Sequence, residues 1–271
     1  MLYTGGVGWR WVFSSALLTN FGRSVLPFAE KVFCGLFPDN CRVCEQSLHD
    51  ISRIPVCQKC LDSPEALCAD FFCKDCHTPF LNPFPLDEQG RCSLCRLGLT
   101  GFNTVYTFGS YEDTLRELIH LFKYNGVRPL AKPLGEFAAR AIPREHGFDL
   151  IVPMPLYWKK RWSRGYNQSE LLAEEIARRW NVPVKNIVRR VKDTAPQAGL
   201  SNSKRRLNVR GAFQMRKGLD VKGLGVLLVD DVLTTGATAS ACASVLKRAG
   251  AKHVAVAAVA RTDRRMDRGI T

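Results

Sequence analysis

The chain has 271 residues, of which 46% are hydrophobic and 24% charged, and a formal net charge of +14. Such a chain can bury one ordinary core plus a smaller module, so it reads as soluble and globular. Its longest apolar stretch, residues 11–37, is broken by Asn20, Arg23, Pro27, Glu30 and Lys31, which excludes the roughly 20-residue run of a membrane span.

Residues 1–37 form an apolar extension to which no function is assigned. Arg10 followed by Trp11 to Leu18 faintly mimics a secretory signal. No convincing small-residue cleavage site follows it, and the cysteines downstream suit a reducing compartment, so the expected location is the cytoplasm.

Residues 38–99 are a Cys-rich module. Ten of the eleven cysteines precede residue 96, and eight form Cys-x-x-Cys pairs: Cys41/Cys44, Cys57/Cys60, Cys73/Cys76 and Cys92/Cys95. Each pair can offer two thiolates from one knuckle, and two knuckles make the tetrahedral sulfur cage of a structural zinc. Two Zn2+ sites are therefore expected. Sequential pairing gives Cys41, Cys44, Cys57 and Cys60 in one site and Cys73, Cys76, Cys92 and Cys95 in the other, with crossed pairing open. Redox dithiols, an iron-sulfur cluster or sites that have lost their metal are weaker readings, because a redox Cys-x-x-Cys normally stands alone beside a strand-helix unit. His49 and His77 are spare donors, while Cys34, Cys68 and Cys242 are unpaired thiols.

Cysteines stop near Leu99 and alternating strand and helix patterns begin, so residues 100–271 are read as one α/β domain. Phe102 to Phe108 predicts a strand. Ser110 and Asp113 suggest a capping box before a helix with Leu115, Leu118, Ile119 and Phe122 on one stripe. A second helix is expected over Leu130 to Ala141. Asp149 to Met154 predicts a buried strand, followed by a basic loop from Lys159 to Gln168 and a helix capped by Asn167, with Glu170 three residues on. Residues 189–217 hold nine Lys or Arg against the single acid Asp193. That excess calls for an anionic partner, and charge alone does not choose among nucleic acid, a polyphosphate and an acidic membrane.

The most informative stretch is Val226 to Thr238. Val226 to Val229 is a continuous apolar run, as in a strand covered on both faces of a parallel sheet. It ends on Asp230 and Asp231. Thr234, Thr235, Gly236, Ala237 and Thr238 form a tight turn, and Ala237 to Ala249 reads as a helix stopped by Gly250. The N–H groups of a first helical turn favour a phosphate, while carboxylates at the carboxyl end of a strand can accept from ribose hydroxyls or hold Mg2+. No Gly-Lys-Thr or Gly-Lys-Ser follows the glycine, so this is not a Walker A loop.

The stretch resembles the phosphoribosyl pyrophosphate (PRPP) motif of type I phosphoribosyltransferases. By that resemblance Asp230 and Asp231 hold the ribose and Thr234 to Thr238 the 5-phosphate. The strings Phe122-Lys123-Tyr124, Arg164-Gly165-Tyr166-Asn167-Gln168, Gln197 with Leu200-Ser201 and Arg205, and Asn208 to Phe213, together with the four cysteine knuckles, are similar to the ComF family in their order. The resemblance spans roughly Phe37 to Thr262. It implies a parallel-sheet type I phosphoribosyltransferase fold with a small zinc-ribbon-like N-terminal domain, and a role in DNA uptake, natural transformation or DNA utilisation beside competence-machinery proteins.

Three functional readings follow from the same residues. In the first, an Mg2+-dependent transferase passes ribose 5-phosphate from PRPP to an unidentified nitrogen acceptor. Arg161 and Arg164 offset the pyrophosphate charge, and Arg205 or Arg206 closes over the site. In the second, the protein binds single-stranded DNA, with Lys159, Lys160, Arg161, Arg164, Arg205 and Arg206 on phosphates and Trp158, Trp162 and Tyr166 stacking on bases. A third, weaker reading is a sensor of PRPP or a purine nucleotide without turnover.

Overall fold

A computed structural model describes residues 40–48, 52–80, 82–98, 101–143, 147–193, 209 and 211–262. The apolar extension and the segment carrying Gln197, Arg205 and Arg206 lie outside the described residues. By compactness the chain divides into two units, Met1–Cys57 and Gln58–Thr271. In the first unit, Asn40 and Ser47 form an antiparallel bridge around a knuckle in which Cys41 N donates to Gln46 O at 2.8 Å and Glu45 N to Cys41 O at 2.8 Å.

The second unit opens with a short helix α1 (Gln58–Asp62), a two-stranded antiparallel ribbon β1 (Phe71–Phe72) and β2 (Pro79–Phe80), and a single-turn helix α2 (Ser93–Arg96). Next come β3 (Thr104–Ser110), α3 (Asp113–Tyr124), a 3-10 turn (Arg128–Leu130), α4 (Ala131–Arg140) and β4 (Leu150–Pro153). Helices α5 (Trp158–Arg164) and α6 (Gln168–Trp180) lead to β5 (Val188–Arg190) and β6 (Phe213–Met215), and the chain continues with β7 (Gly225–Leu233), α7 (Ala237–Arg248) and β8 (His253–Arg261).

Four strands make a parallel sheet in the order β3-β8-β7-β4, with Val184 bridging in parallel beyond β4 at Ile151. The apolar run behaves as expected for an inner strand: Val226, Leu227, Leu228 and Val229 are each at most 1% exposed. β7 does not stop at the acids. Its ladder with β8 continues through Val232 to Ala260 and Leu233 to Arg261, so Asp230 and Asp231 sit inside the strand near its carboxyl end.

Other elements depart from the sequence reading. Glu112 rather than Ser110 precedes α3 as its N-cap, without a side-chain cap, because Ser110 is still paired in β3 with Arg261. The basic segment after β4 is helical through Arg164 and ends on Gly165 at φ 74°, instead of forming a loop. Asn167 caps α6 as expected, accepting from Ser169 N at 3.2 Å. Glu170 does not complete a capping box; its carboxylate accepts from Asn186 at 2.7 Å and pairs with Arg161 at 3.2 Å. β5 and β6 form an antiparallel hairpin stem within the basic segment.

The second pair of cysteine knuckles is built into the core of the sheet unit. Cys73, Cys76, Cys92 and Leu94 share one apolar cluster with Phe102, Leu233, Ala239 and Cys242. Arg261, at the end of β8, donates to the carbonyl of Pro79 and lies with its guanidinium 4.5 Å from the ring centroid of Phe80. The chain leaving the knuckles touches α7 at Gly101, whose N–H donates to Ser240 Oγ at 3.1 Å. A Cβ there would stand 2.3 Å from the Ser240 carbonyl and 2.5 Å from Ser244 N, with backbone that has no room to yield. Gly101→Ala is expected to cost about 2 kcal/mol, in the range of overpacking a filled interior. Urea unfolding checks this; a cost under about 0.5 kcal/mol would show that the seam is loose.

Candidate functional site

The cysteines pair sequentially. The ligand atoms of Cys41, Cys44, Cys57 and Cys60 lie within 4.8 Å of one another, as do those of Cys73, Cys76, Cys92 and Cys95. Sulfur separations of 3.7 Å for Cys44 to Cys57, 3.5 Å for Cys73 to Cys95 and 3.7 Å for Cys76 to Cys92 approach the edge of about 3.8 Å that a tetrahedron with 2.3 Å Zn–S bonds requires. Backbone N–H groups already point at the sulfurs, Cys57 N to Cys41 Sγ at 3.3 Å and Cys92 N to Cys73 Sγ at 3.2 Å. Burial raises the Cys41 thiol, but the backbone N–H groups of Cys44, Cys57 and Val43 outweigh it and bring its pKa down to about 6. In the other cluster a hydrogen bond from Cys76 is the main cause that lowers Cys92 to about 5, while Cys76 itself is raised. Cys41 and Cys92 are thus the thiols held toward the thiolate, one in each cluster, and a set of four sulfurs suits a soft divalent cation.

At the carboxyl end of β7 the acid pair is held from three directions. Asp230 Oδ1 accepts from Asp231 N at 2.9 Å and from Ser169 Oγ, in the first turn of α6, at 3.1 Å. Asp231 Oδ1 accepts from Val232 N at 2.6 Å and pairs with Lys123 Nζ, near the end of α3, at 2.8 Å. Burial pushes Asp230 up to about 7, helped by the charge of Asp231 and opposed by Lys123. Burial also works against the Lys123 ammonium, yet Asp231 outweighs it and holds Lys123 above the ordinary lysine value. Arg190, from β5, is a further cation whose field reaches Asp230; burial lowers its pKa.

Beyond the acids, Thr234 to Gly236 turn the chain into α7. Gly236 is left-handed, at φ 74°, and a Cβ there would stand 2.8 Å from Leu94 Cδ1 of the cysteine module. Thr235 Oγ1 accepts from Ala237 N at 3.2 Å. A cavity of about 380 Å³ opens here, lined by Tyr111, Lys123, Tyr124, Asp230, Leu233, Thr234, Gly236, Thr238 and Thr262 among others. It joins a carboxylate, an ammonium and the hydroxyls at a helix N-terminus, the groups that hold a sugar diol and a phosphate.

Arg161 and Arg164 are not drawn into the acid pair. Arg161 pairs with Glu170, and Arg164 donates to Gln168 Oε1 at 3.1 Å and covers the ring of Tyr124 at 5.1 Å. Lys159 lies 5.7 Å from the Trp158 ring, and burial lowers the Lys160 ammonium. Trp158 and Trp162 are 58% and 84% exposed. Tyr166 does not belong to that exposed face. It is 8% exposed, its hydroxyl donates to the Phe122 carbonyl, and Arg128 covers its ring. Arg205 and Arg206 fall outside the described residues. Sequence reasoning gave no role to Lys123, Ser169, Tyr111, Tyr124 or Arg190. Only the Phe122-Lys123-Tyr124 string pointed toward any of them.

Two outcomes are expected. Elemental mass spectrometry should find two zinc per chain, falling to about one in Cys92→Ser; a folded native protein without zinc would remove the metal reading. Because folding raises the pKa of Asp230, the folded state binds its proton more tightly than the unfolded state does. The resulting penalty is absent below about pH 4 and complete above about pH 7. Asp230→Asn keeps the Oδ1 acceptor and removes the charge. It should stabilise the ligand-free protein at pH 8 by roughly 2 kcal/mol, a value discounted for water in the cavity, with the gain shrinking toward pH 5.5. A gain independent of pH, or a loss, in denaturant titrations would contradict this.

Residues 167–269 match the family described as phosphoribosyl transferase domain, and the parallel sheet, with Asp230 and Asp231 near the carboxyl end of β7, is that fold. Competence protein F of Haemophilus influenzae is 36% identical over 180 residues, covering 63% of this chain and 78% of that protein. The DNA utilization protein YhgH of Salmonella typhimurium is 30% identical over 235 residues, covering 83% of this chain and 98% of that protein. A hypoxanthine phosphoribosyltransferase from Staphylococcus aureus aligns in structure with 16% identity over 54% of this chain and 69% of that one, at a TM-score of 0.32. With a phosphoribosyl transferase domain, two four-cysteine clusters and these relatives, the chain belongs to the ComF family of competence protein F and YhgH.

Proposed function

We propose that this protein binds a phosphoribosyl ligand, PRPP with Mg2+, and serves DNA uptake or DNA utilisation in the cytoplasm, as the names of its relatives suggest. The observation that carries the reading is the convergence of Asp230, Thr234, Gly236, Thr238 and Lys123 on one cavity of about 380 Å³. Asp230 and Asp231 face the ribose hydroxyls, and residues 234–238 take the 5-phosphate. Arg161, Arg164 and Arg205 supply the cations toward the pyrophosphate. Asp230 and Asp231 are also the oxygen donors available to Mg2+, which would offset pyrophosphate charge. Among the described residues no helix is long and apolar enough to cross a membrane.

Single-stranded DNA is the second ligand of this reading, and the exposure of Trp158 and Trp162 beside Lys159, Lys160, Arg161 and Arg164 supports it. Exposed aromatics among cations are what sequence-tolerant strand binding requires, since every base has a face to stack and every nucleotide a phosphate to pair. Tyr166, being enclosed, takes no part.

Calorimetric titration with PRPP in the presence of Mg2+ should show binding, and Asp231→Asn should weaken it at least tenfold; no heat at millimolar PRPP would end the phosphoribosyl reading. For DNA, fluorescence anisotropy should give an affinity for single strands that falls steeply with salt. Trp162→Ala is expected to weaken it about tenfold, from a stacking contribution of about 1–3 kcal/mol per base. Unchanged affinity in that variant would remove this face from the DNA site.

A further inference from the structure

The second cysteine cluster and the turn after β7 meet at Leu94. This residue lies between Cys92 and Cys95 in the last knuckle, so it cannot move independently of the two sulfurs that flank it. Its backbone N–H is one of the donors to the Cys92 sulfur. Its side chain is buried, and so close to the turn that a Cβ on Gly236 would stand 2.8 Å from Leu94 Cδ1. One residue thus holds a cluster sulfur with its backbone and the turn with its side chain.

The contact falls where the turn is most sensitive. Gly236 is the left-handed residue at which the chain enters α7, so its conformation sets the direction of the N–H groups in the first helical turn. Beside the contact lies a cavity of about 60 Å³, bounded by Thr78, Cys92, Thr234, Thr235 and Arg261 among others, which gives the turn room to shift when Leu94 does. The far wall is tied to the same cluster, since Thr78 Oγ1 and Cys76 Sγ are 3.0 Å apart. Four sulfurs gathered within 4.8 Å repel one another as thiolates unless a cation joins them, and metal binding at such a site is coupled to the local fold.

We infer that Leu94 is a positioning residue that transmits the state of the second cysteine cluster to Gly236, so that a zinc-filled cluster and a phosphate-bound turn favour each other. The link through Leu94 is one of packing, and its effect on a ligand rests on the phosphoribosyl reading.

Hydrogen exchange on the full chain without ligand tests the link itself. Peptides covering residues 234–238 should exchange about tenfold faster in Leu94→Ala with both zincs retained, and Leu94→Met, which still reaches Gly236, should restore protection. Leu94→Val serves the same purpose if the alanine variant loses zinc. Protection of residues 234–238 that survives the truncation would overturn the inference. A Cys44→Ser background, in which the zinc left is that of the second cluster, tests the coupling by competition with a chromophoric chelator. There ribose 5-phosphate should raise zinc affinity about tenfold, and the gain should vanish when Leu94→Ala is added, because coupling between two sites is reciprocal. A sugar phosphate that binds without changing zinc affinity would overturn the inference. Failure of ribose 5-phosphate to bind would end the phosphoribosyl reading alone, and the exchange rates then decide the role of Leu94.

Discussion

Two carboxylates at the end of a strand buried on both faces must be compensated, and much of the site is arranged around that requirement. β7 is apolar up to Val229 because helices and neighbouring strands leave its sides no water. Asp230 and Asp231 therefore enter a partly dry environment as a like-charged pair. Lys123 neutralises one, Ser169 donates to the other, and the backbone N–H groups of Asp231 and Val232 supply further bonds. These partners draw the end of α3 and the start of α6 to the carboxyl end of the sheet, where parallel sheets place their ligands. Stability is given up there: Asp230, at about 7, is costly to ionise. A diol or a cation that prefers the charged form would recover that cost on binding.

The phosphate turn has a second support, from the cysteine module. Gly236 meets Leu94, Phe102 stands close to both, and Arg261 ties the end of β8 to Pro79 and Phe80. A small cavity bounded by Cys92, Leu94, Phe102, Thr234, Thr235 and Arg261 lies between the turn and the second cysteine cluster. The second cysteine cluster is thus a foundation of the turn. The sulfur cluster of Cys41, Cys44, Cys57 and Cys60 differs in having Cys44 exposed, whereas Cys73, Cys76 and Cys92 are buried.

What was legible in the sequence had a local or strictly periodic signature. Val226 to Val229 is a continuous apolar run that fits a doubly covered strand, and four Cys-x-x-Cys pairs are the pattern of structural zinc knuckles. The amphipathic stripe of α3 and the Asn167 cap were legible for the same reason. Long-range partnerships were not. Ser169 and Asp230 are 61 positions apart, and nothing around Ser169 marks it as a ligand of an acid. Helix α5 has no buried residue to give it a stripe, so seven mostly basic and aromatic residues read as a loop. Tyr166 and Tyr124 show the limit most clearly: both stand among cations in the sequence, but one is enclosed by Arg128 and the Phe122 carbonyl while the other faces the cavity.

One cavity, lined by Asp230 and by Thr234, Gly236 and Thr238 of the turn, is the proposed seat of a phosphoribosyl group. A crystal structure of the protein with ribose 5-phosphate tests it most directly. The phosphate is expected against residues 234–238 and the sugar hydroxyls within hydrogen-bond distance of Asp230 and Asp231, with Lys123 still beside them. Density for the phosphate on the basic face of α5, with the acid pair still closed on Ser169 and Lys123 and no sugar beside it, would contradict the account.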